Sequence, residues 1–166
     1  IENLEQFIIG QGEKGLREFQ NFLSECGLNF ELKIRQVSMG RKIFAEFQNR
    51  PYPLFEIAST GTKSLLLFYY WMNRCNDHIS FLFLDEFDAF YHPKLSLLIL
   101  NKILKNDSYQ AVVTTHNSYL AANSIMRPDC YFIIKDGEIK SFADRTNKKI
   151  REGNNLEKMM LAEEFQ

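Results

Sequence analysis

The sequence predicts an α/β fold in which parallel strands are flanked by helices and accompanied by β-hairpins. Three observations carry that prediction. First, "HISFLFLDE" (His78–Glu86) and "QAVVTTH" (Gln110–His116) are apolar, strand-like runs that each stop at ionisable residues. Second, "PKLSLLILNKIL" lies between them and spaces Leu95, Leu98, Ile99 and Ile103 along one helical face, behind a proline suited to a first helical position. Strand, helix and strand in that order imply a right-handed parallel crossover. Third, Asp136-Gly137 divides "YFIIKDGEIKSF" at a two-residue turn, a hairpin signal.

The remaining elements follow in chain order. Residues 2–24 read as helix in two pieces, "NLEQFII" and "LREFQNFLSE", with "GQGEKG" between them. Gly10, Gly12 and Gly15 form a G-x-G-x-x-G, but no strand precedes it, so a break between helices is expected instead of a dinucleotide loop. "NFELKIRQV" alternates Phe30, Leu32 and Ile34 with polar neighbours, and "KIFAEF" returns after "SMGR", which predicts a hairpin. Pro51 and Pro53 are expected to end that pairing. Leu65–Met72, "LLLFYYWM", is apolar all round, so its helix should be buried on most sides, its aromatic side chains packing rather than stacking on bases. "HISFLFLDE" lacks polar alternation and should be a central strand covered on both faces. A short helix is expected near "NSYLAANSI", and a last one from about Leu156 in the charged tail.

Composition bounds the function. The 166 residues are 45% hydrophobic and 25% charged, enough for one globular domain with a real core. A formal charge of −1 gives no global basic field for nucleic acid or anionic membrane. Arg145, Lys148, Lys149 and Arg151 are read as a solvated face rather than a nucleic-acid contact. Cys26, Cys75 and Cys130 are odd in number and widely spaced, which suits a reduced cytoplasm better than a disulfide frame or zinc site. The longest apolar run, eight residues, falls far short of a membrane span. The expectation is a cytoplasmic protein, and a chain that begins at Ile1 is expected to be part of a longer polypeptide.

Ligands of open parallel sheets bind beyond the carboxyl ends of the strands. Asp85 and Glu86 end one strand and His116 the other, so all three should project over one edge. Two adjacent carboxylates there suit phosphoryl transfer, one holding Mg²⁺ directly or through water and the other polarising the attacking water. "STGTKSLLLF" (Ser59–Phe68) looks like a phosphate-binding P-loop at first sight. It is not one: Thr62 separates Gly61 from Lys63, no glycine stands five residues before Gly61, and "RPYPLFEIA" precedes it in place of a strand.

On these residues the chain resembles a family. "FLFLDE" is similar to the Walker B motif of ABC-class ATPases, "TTHNS" to their switch-histidine loop, and "ASTGTKS" stands where their signature lies, about 24 residues before the Walker B acids. "STGTKSLL", "DEFDAFYHP" and "TTHNSYL" together most resemble the SMC/RecF-like and OLD-like AAA ATPases of bacterial defence systems, over roughly residues 54–140. The resemblance implies the C-terminal lobe of a P-loop NTPase, with 1–24 as a helical lead-in and 25–166 as the lobe. It implies ATP and Mg²⁺ as cofactors, Asp85 holding Mg²⁺ through water, Glu86 as catalytic base and His116 as γ-phosphate sensor. Ser59, Gly61 and Lys63 would face the γ-phosphate held by an opposite subunit, Asp88 would match the loop that crosses the dimer interface, and His92-Pro93 would be a structural helix start. Thr60 stands where transporters usually carry glycine, which favours the defence-type branch. The resemblance further implies an ATP-sandwich homodimer, an N-terminal lobe carrying the P-loop and glutamine loop, neither of them recognisable in this chain, and an effector protein or DNA as the driven partner.

Three other readings stand beside it. Asp85, Glu86 and Asp88 could serve a Mg²⁺-dependent nuclease or phosphatase, or the D-E-x-D of a helicase; the first needs acids at other strand ends, where Asp129 and Asp136 are poor candidates, and the second an arginine-rich motif that does not follow. The chain could also be a non-catalytic docking module, in which Ser59 is only a helix cap.

Overall fold

The computed structural model describes residues 2–75, 78–148, 150–151, 153–162 and 164–165, the side chains of Glu2 and Cys75 excepted. The chain divides into two compact units, one of Ile1–Leu82 with Ser108–Gln110 and one of Phe83–Asp107 with Ala111–Gln166.

In the first unit, helices α1 (Glu2–Gly10) and α2 (Gly12–Glu25) meet at a sharp elbow. Gly12 turns the chain in the left-handed region at φ +66, which glycine adopts at little cost. At Gly15 a Cβ would lie 2.4 Å from Gln11 Cβ and 3.2 Å from the Ile8 carbonyl, so only a bare α-carbon lets α2 start this close to α1. The G-x-G-x-x-G is thus a helix–helix joint, as expected for glycines with no strand ahead of them.

Strands β1 (Glu31–Val37) and β2 (Gly40–Phe47) pair antiparallel around Ser38-Met39, as the alternation predicts. The pairing does not stop at the prolines. Gln48 and Asn49 form a tight turn with both φ positive, and β3 (Arg50–Pro53) continues the sheet. Pro51 and Pro53 pair with Glu46 and Phe44, alternate positions at which the edge strand's nitrogens face outward and no donor is missed. A strand therefore does precede the "STGTKS" segment, followed by the single turn α3 (Leu54–Ile57). Side chains of the first two helices close the sheet's open donors: Ile43 N donates to the buried Glu5 at 2.7 Å just past the end of β3, and Leu32 N to Gln20 at 2.8 Å.

Helix α4 (Thr60–Cys75) buries one face, not all of them. Leu65, Leu66 and Tyr69 are buried, whereas Leu67 and Trp71, one turn apart, are about half exposed. Composition alone could not separate these faces, because both are apolar. Tyr69 packs between the rings of Phe19 and Phe22, at 5.0 and 4.8 Å, and burial pushes its hydroxyl up to about 12 from an ordinary 10.0. A folded value above the unfolded one favours the fold below pH 10 and loses that advantage as pH rises toward 12. Tyr69→Phe should therefore flatten the decline of stability between pH 10 and 12, as read by urea denaturation at several pH values.

Strands β4 (Phe81–Leu84) and β5 (Gln110–Val113) enclose helix α5 (Pro93–Leu104) in sequence, as predicted. Gln110 N donates to Ser80 O and Thr114 N to Leu84 O; both strands advance together, so the pair is parallel. The expectation of a central strand covered on both faces fails among the described residues, since Phe81 and Phe83 are 54% and 55% exposed. The only parallel pair described is β4–β5; the other sheets are antiparallel.

In the second unit, α5 buries Ile99, Leu100 and Ile103. The hairpin of β6 (Phe132–Lys135) and β7 (Glu138–Ser141) turns at Asp136-Gly137, both with positive φ, as expected. Phe142 and Tyr131 pack with Leu156 and Met159 of α6 (Leu156–Leu161), which starts where the tail predicts and is capped by Asn155. The helix expected near "NSYLAANSI" is only a 3-10 turn over Ser118–Leu120. The Tyr131 hydroxyl lies 2.9 and 2.8 Å from the Leu120 and Ala122 carbonyls and accepts from Ala122 N, occupying groups that a longer helix would use.

Candidate functional site

The strand ends build the site. After β4 the chain passes through Asp85 and Glu86 into a run of turns, and after β5 through Thr114 and Thr115 to His116. Thr114 ties the two ends together with its whole backbone: its N–H donates to Leu84 O at 2.9 Å and its carbonyl accepts from Phe87 N at 3.2 Å. Its hydroxyl adds two bonds, donating to Asp85 Oδ1 at 2.5 Å and accepting from Glu86 N at 2.8 Å. Held in this way, Glu86 sits in the left-handed region at φ +44. That backbone costs a non-glycine residue roughly 1–3 kcal/mol and persists only where surroundings impose it.

The turn that follows is pinned by a second threonine. Thr115 Oγ1 donates to the buried Asp88 at 2.6 Å and accepts from Asn117 N at 3.0 Å. Asp88 thus has a carboxylate oxygen engaged within its own chain, and its carbonyl accepts from Tyr91 N at 2.9 Å. His92 caps α5, its Nδ1 accepting from Lys94 N at 3.4 Å ahead of Pro93, the structural helix start that the His-Pro pair implies.

These ties bring the acidic pair and the imidazole to one edge. His116 Nε2 lies 3.5 Å from Glu86 Oε1, and both side chains are largely exposed. An exposed pair of this kind adds little stability, so its interest is geometric. A carboxylate and an imidazole face solvent side by side, with a second carboxylate, Asp85, anchored next to Glu86.

Ser59, Gly61 and Lys63 belong to the first unit and stand at the start of α4. Ser59 is the helix cap, its Oγ accepting from Thr62 N at 3.2 Å and lying 2.9 Å from Thr62 Oγ1; its carbonyl accepts from Lys63 N at 2.8 Å. Gly61 lies in the first turn and Lys63 one turn in, both partly exposed.

Of the basic residues read as a solvated face, Arg145 departs from that reading, being buried and reaching the Glu138 carbonyl; Lys148 pairs with Glu164 at 2.9 Å, Arg151 is exposed, and Lys149 lies outside the described residues. Asp129 pairs with Arg127, which holds its carboxyl below the usual range, and Asp136 lies in the hairpin turn. Among the described residues no three of His, Cys, Asp and Glu converge as a metal cage, and no helix is long and apolar enough to cross a membrane.

Sequence reasoning missed Thr114 and Thr115. Their signal was present: two adjacent hydroxyls between an apolar strand and a histidine, where neighbouring acids need partners.

Residues 15–122 match the family described as "AAA domain, putative AbiEii toxin, Type IV TA system", a stretch that includes α4, the strand-end acids and His116. No curated protein matches the chain.

Proposed function

The chain belongs to this AbiEii-type AAA-domain family of P-loop ATPase type, and from that premise we propose that it supplies the hydrolytic edge of an ATP-binding, ATP-hydrolysing ABC-class head, SMC/RecF-like or OLD-like. The observation that carries the reading is the 3.5 Å approach of His116 Nε2 to Glu86 Oε1 beside an anchored Asp85. In this reading Glu86 orients water on the γ-phosphorus of ATP and accepts its proton, work worth roughly 10²–10⁴-fold in rate. His116 donates a hydrogen bond to a γ-phosphate oxygen and senses its loss.

The donor set suits Mg²⁺. That ion is usually held by one or two carboxylates, with water and substrate phosphates completing its shell, rather than by an all-protein cage. Asp85 would hold it through water, and bound Mg²⁺ would neutralise charge on the phosphate oxygens. The nuclease reading loses one of its three acids, since Asp88 turns onto Thr115.

Ser59, Gly61 and Lys63 complete the proposal from a second copy. The capped start of α4 offers a helix N-terminus to the γ-phosphate of the opposite subunit, Gly61 permits close approach and Lys63 adds charge. Two heads would close head to tail over two nucleotides, with the Asp88 turn at the interface. The P-loop and glutamine loop come from another segment or chain; together with this chain they make the assembled ATPase. Its cycle would drive an effector protein or act on DNA, in bacterial defence or DNA maintenance.

The 166 residues contain no G-x-x-x-x-G-K-[ST], so the isolated chain should show no ATP turnover while the assembled ATPase turns over with Mg²⁺. A phosphate-release assay on both reads this. Robust turnover by the isolated chain, or Mg²⁺-dependent cleavage of nucleic acid without ATP, would replace the proposal.

A further inference from the structure

We propose that Thr114 is a positioning residue for hydrolysis, its hydroxyl setting the backbone twist that aims Glu86. The inference rests on the ATPase reading and deepens it.

A hydroxyl has one proton to give and lone pairs to receive. Thr114 uses both on consecutive residues of the opposite strand end, donating to Asp85 Oδ1 at 2.5 Å and accepting from Glu86 N at 2.8 Å. The polarity matters. Because the proton is committed to the carboxylate, the oxygen presents a lone pair to the Glu86 amide, and the two bonds reinforce one another. Glu86 is the residue whose φ of +44 lies in the left-handed region, and the bond to its amide sits at the start of that distortion. The backbone bonds of Thr114 to Leu84 O and Phe87 N would form with any residue other than proline. Only the side chain reaches the two residues between them. The same bond engages one oxygen of Asp85, orienting the carboxylate assigned to Mg²⁺. Thr114 touches no reacting atom in this scheme and acts through the two acids.

Three variants in the assembled ATPase test this. Thr114→Ser keeps the hydroxyl, Thr114→Val keeps the shape and loses it, and Thr114→Ala serves if valine does not fold. The valine or alanine form should lower kcat about 10- to 100-fold with KM for ATP little changed, and the serine form should restore most of kcat. A second readout does not depend on turnover: amide hydrogen exchange at Glu86, followed by NMR, should quicken in the valine form and stay near the parent rate in the serine form. Parent-like kcat in the hydroxyl-free variants, or unchanged exchange at Glu86, would overturn the inference while leaving the ATPase reading in place. Absence of turnover in the parent itself would remove that reading and this inference with it.

Discussion

Glu86→Gln in the assembled ATPase should bind ATP as the parent does and hydrolyse it at least about 10²-fold more slowly, accumulating as a nucleotide-bound dimer. Glutamine keeps the size and hydrogen-bonding reach of glutamate but cannot accept the proton of attacking water. The substitution also leaves the Glu86 N–H bond to Thr114 intact, because that bond is made by the backbone. Binding should survive, since the phosphates are gripped mainly by a P-loop that the change does not touch. Single-turnover phosphate release and size-exclusion chromatography with ATP read the two halves of this result. Parent-like hydrolysis would remove Glu86 from its assigned role, and loss of ATP binding would show that its part is structural.

The second large effect concerns the fold. Phe19 has no exposed surface and packs against the Tyr69 ring at 5.0 Å, joining α2 to α4 in the first unit. Phe19→Ala removes that burial and leaves a cavity, at a cost of about 3–5 kcal/mol. Set against a total stability of about 5–15 kcal/mol, a loss of that size leaves little margin. Leu67→Ala on the same α4 should change stability by no more than about 0.5 kcal/mol, because Leu67 is half exposed. Urea denaturation of both variants decides the matter. Equal effects would mean that the α2–α4 packing at Phe19 or the exposure of Leu67 on α4 is wrongly assigned.

What could be read from the sequence was whatever depends on order and local chemistry. Strand, helix and strand leading to Asp85-Glu86 and to His116 implied one shared edge, and the imidazole lies 3.5 Å from the nearer acid. The two-residue turn at Asp136-Gly137 and the hairpin over 31–47 were equally local. Illegible features depended on partners distant in sequence. Pro51 and Pro53 look like breakers until β2 is seen on one side of them and, among the described residues, no strand on the other. The segment after His116 looks helical until Tyr131, about ten residues on, occupies its carbonyls. Phe81 and Phe83 alternate with Leu82 and Leu84 in exposure, yet all four are apolar, so hydropathy could not tell the faces apart. For Thr114 and Thr115 the local signal, two hydroxyls ahead of a histidine, marks a place where acids find partners, but which acids, 27 to 29 residues away, shows only once the two strands pair.

The edge carrying Asp85, Glu86 and His116 should receive the γ-phosphate of ATP. A structure of the Glu86→Gln assembly with Mg²⁺ and ATP tests it most directly. The γ-phosphate should lie within about 3 Å hydrogen-bond reach of His116, beside position 86 and facing Ser59 of a second copy. A nucleotide whose phosphates lie away from that edge, with His116 and Asp85 left in solvent, would contradict it.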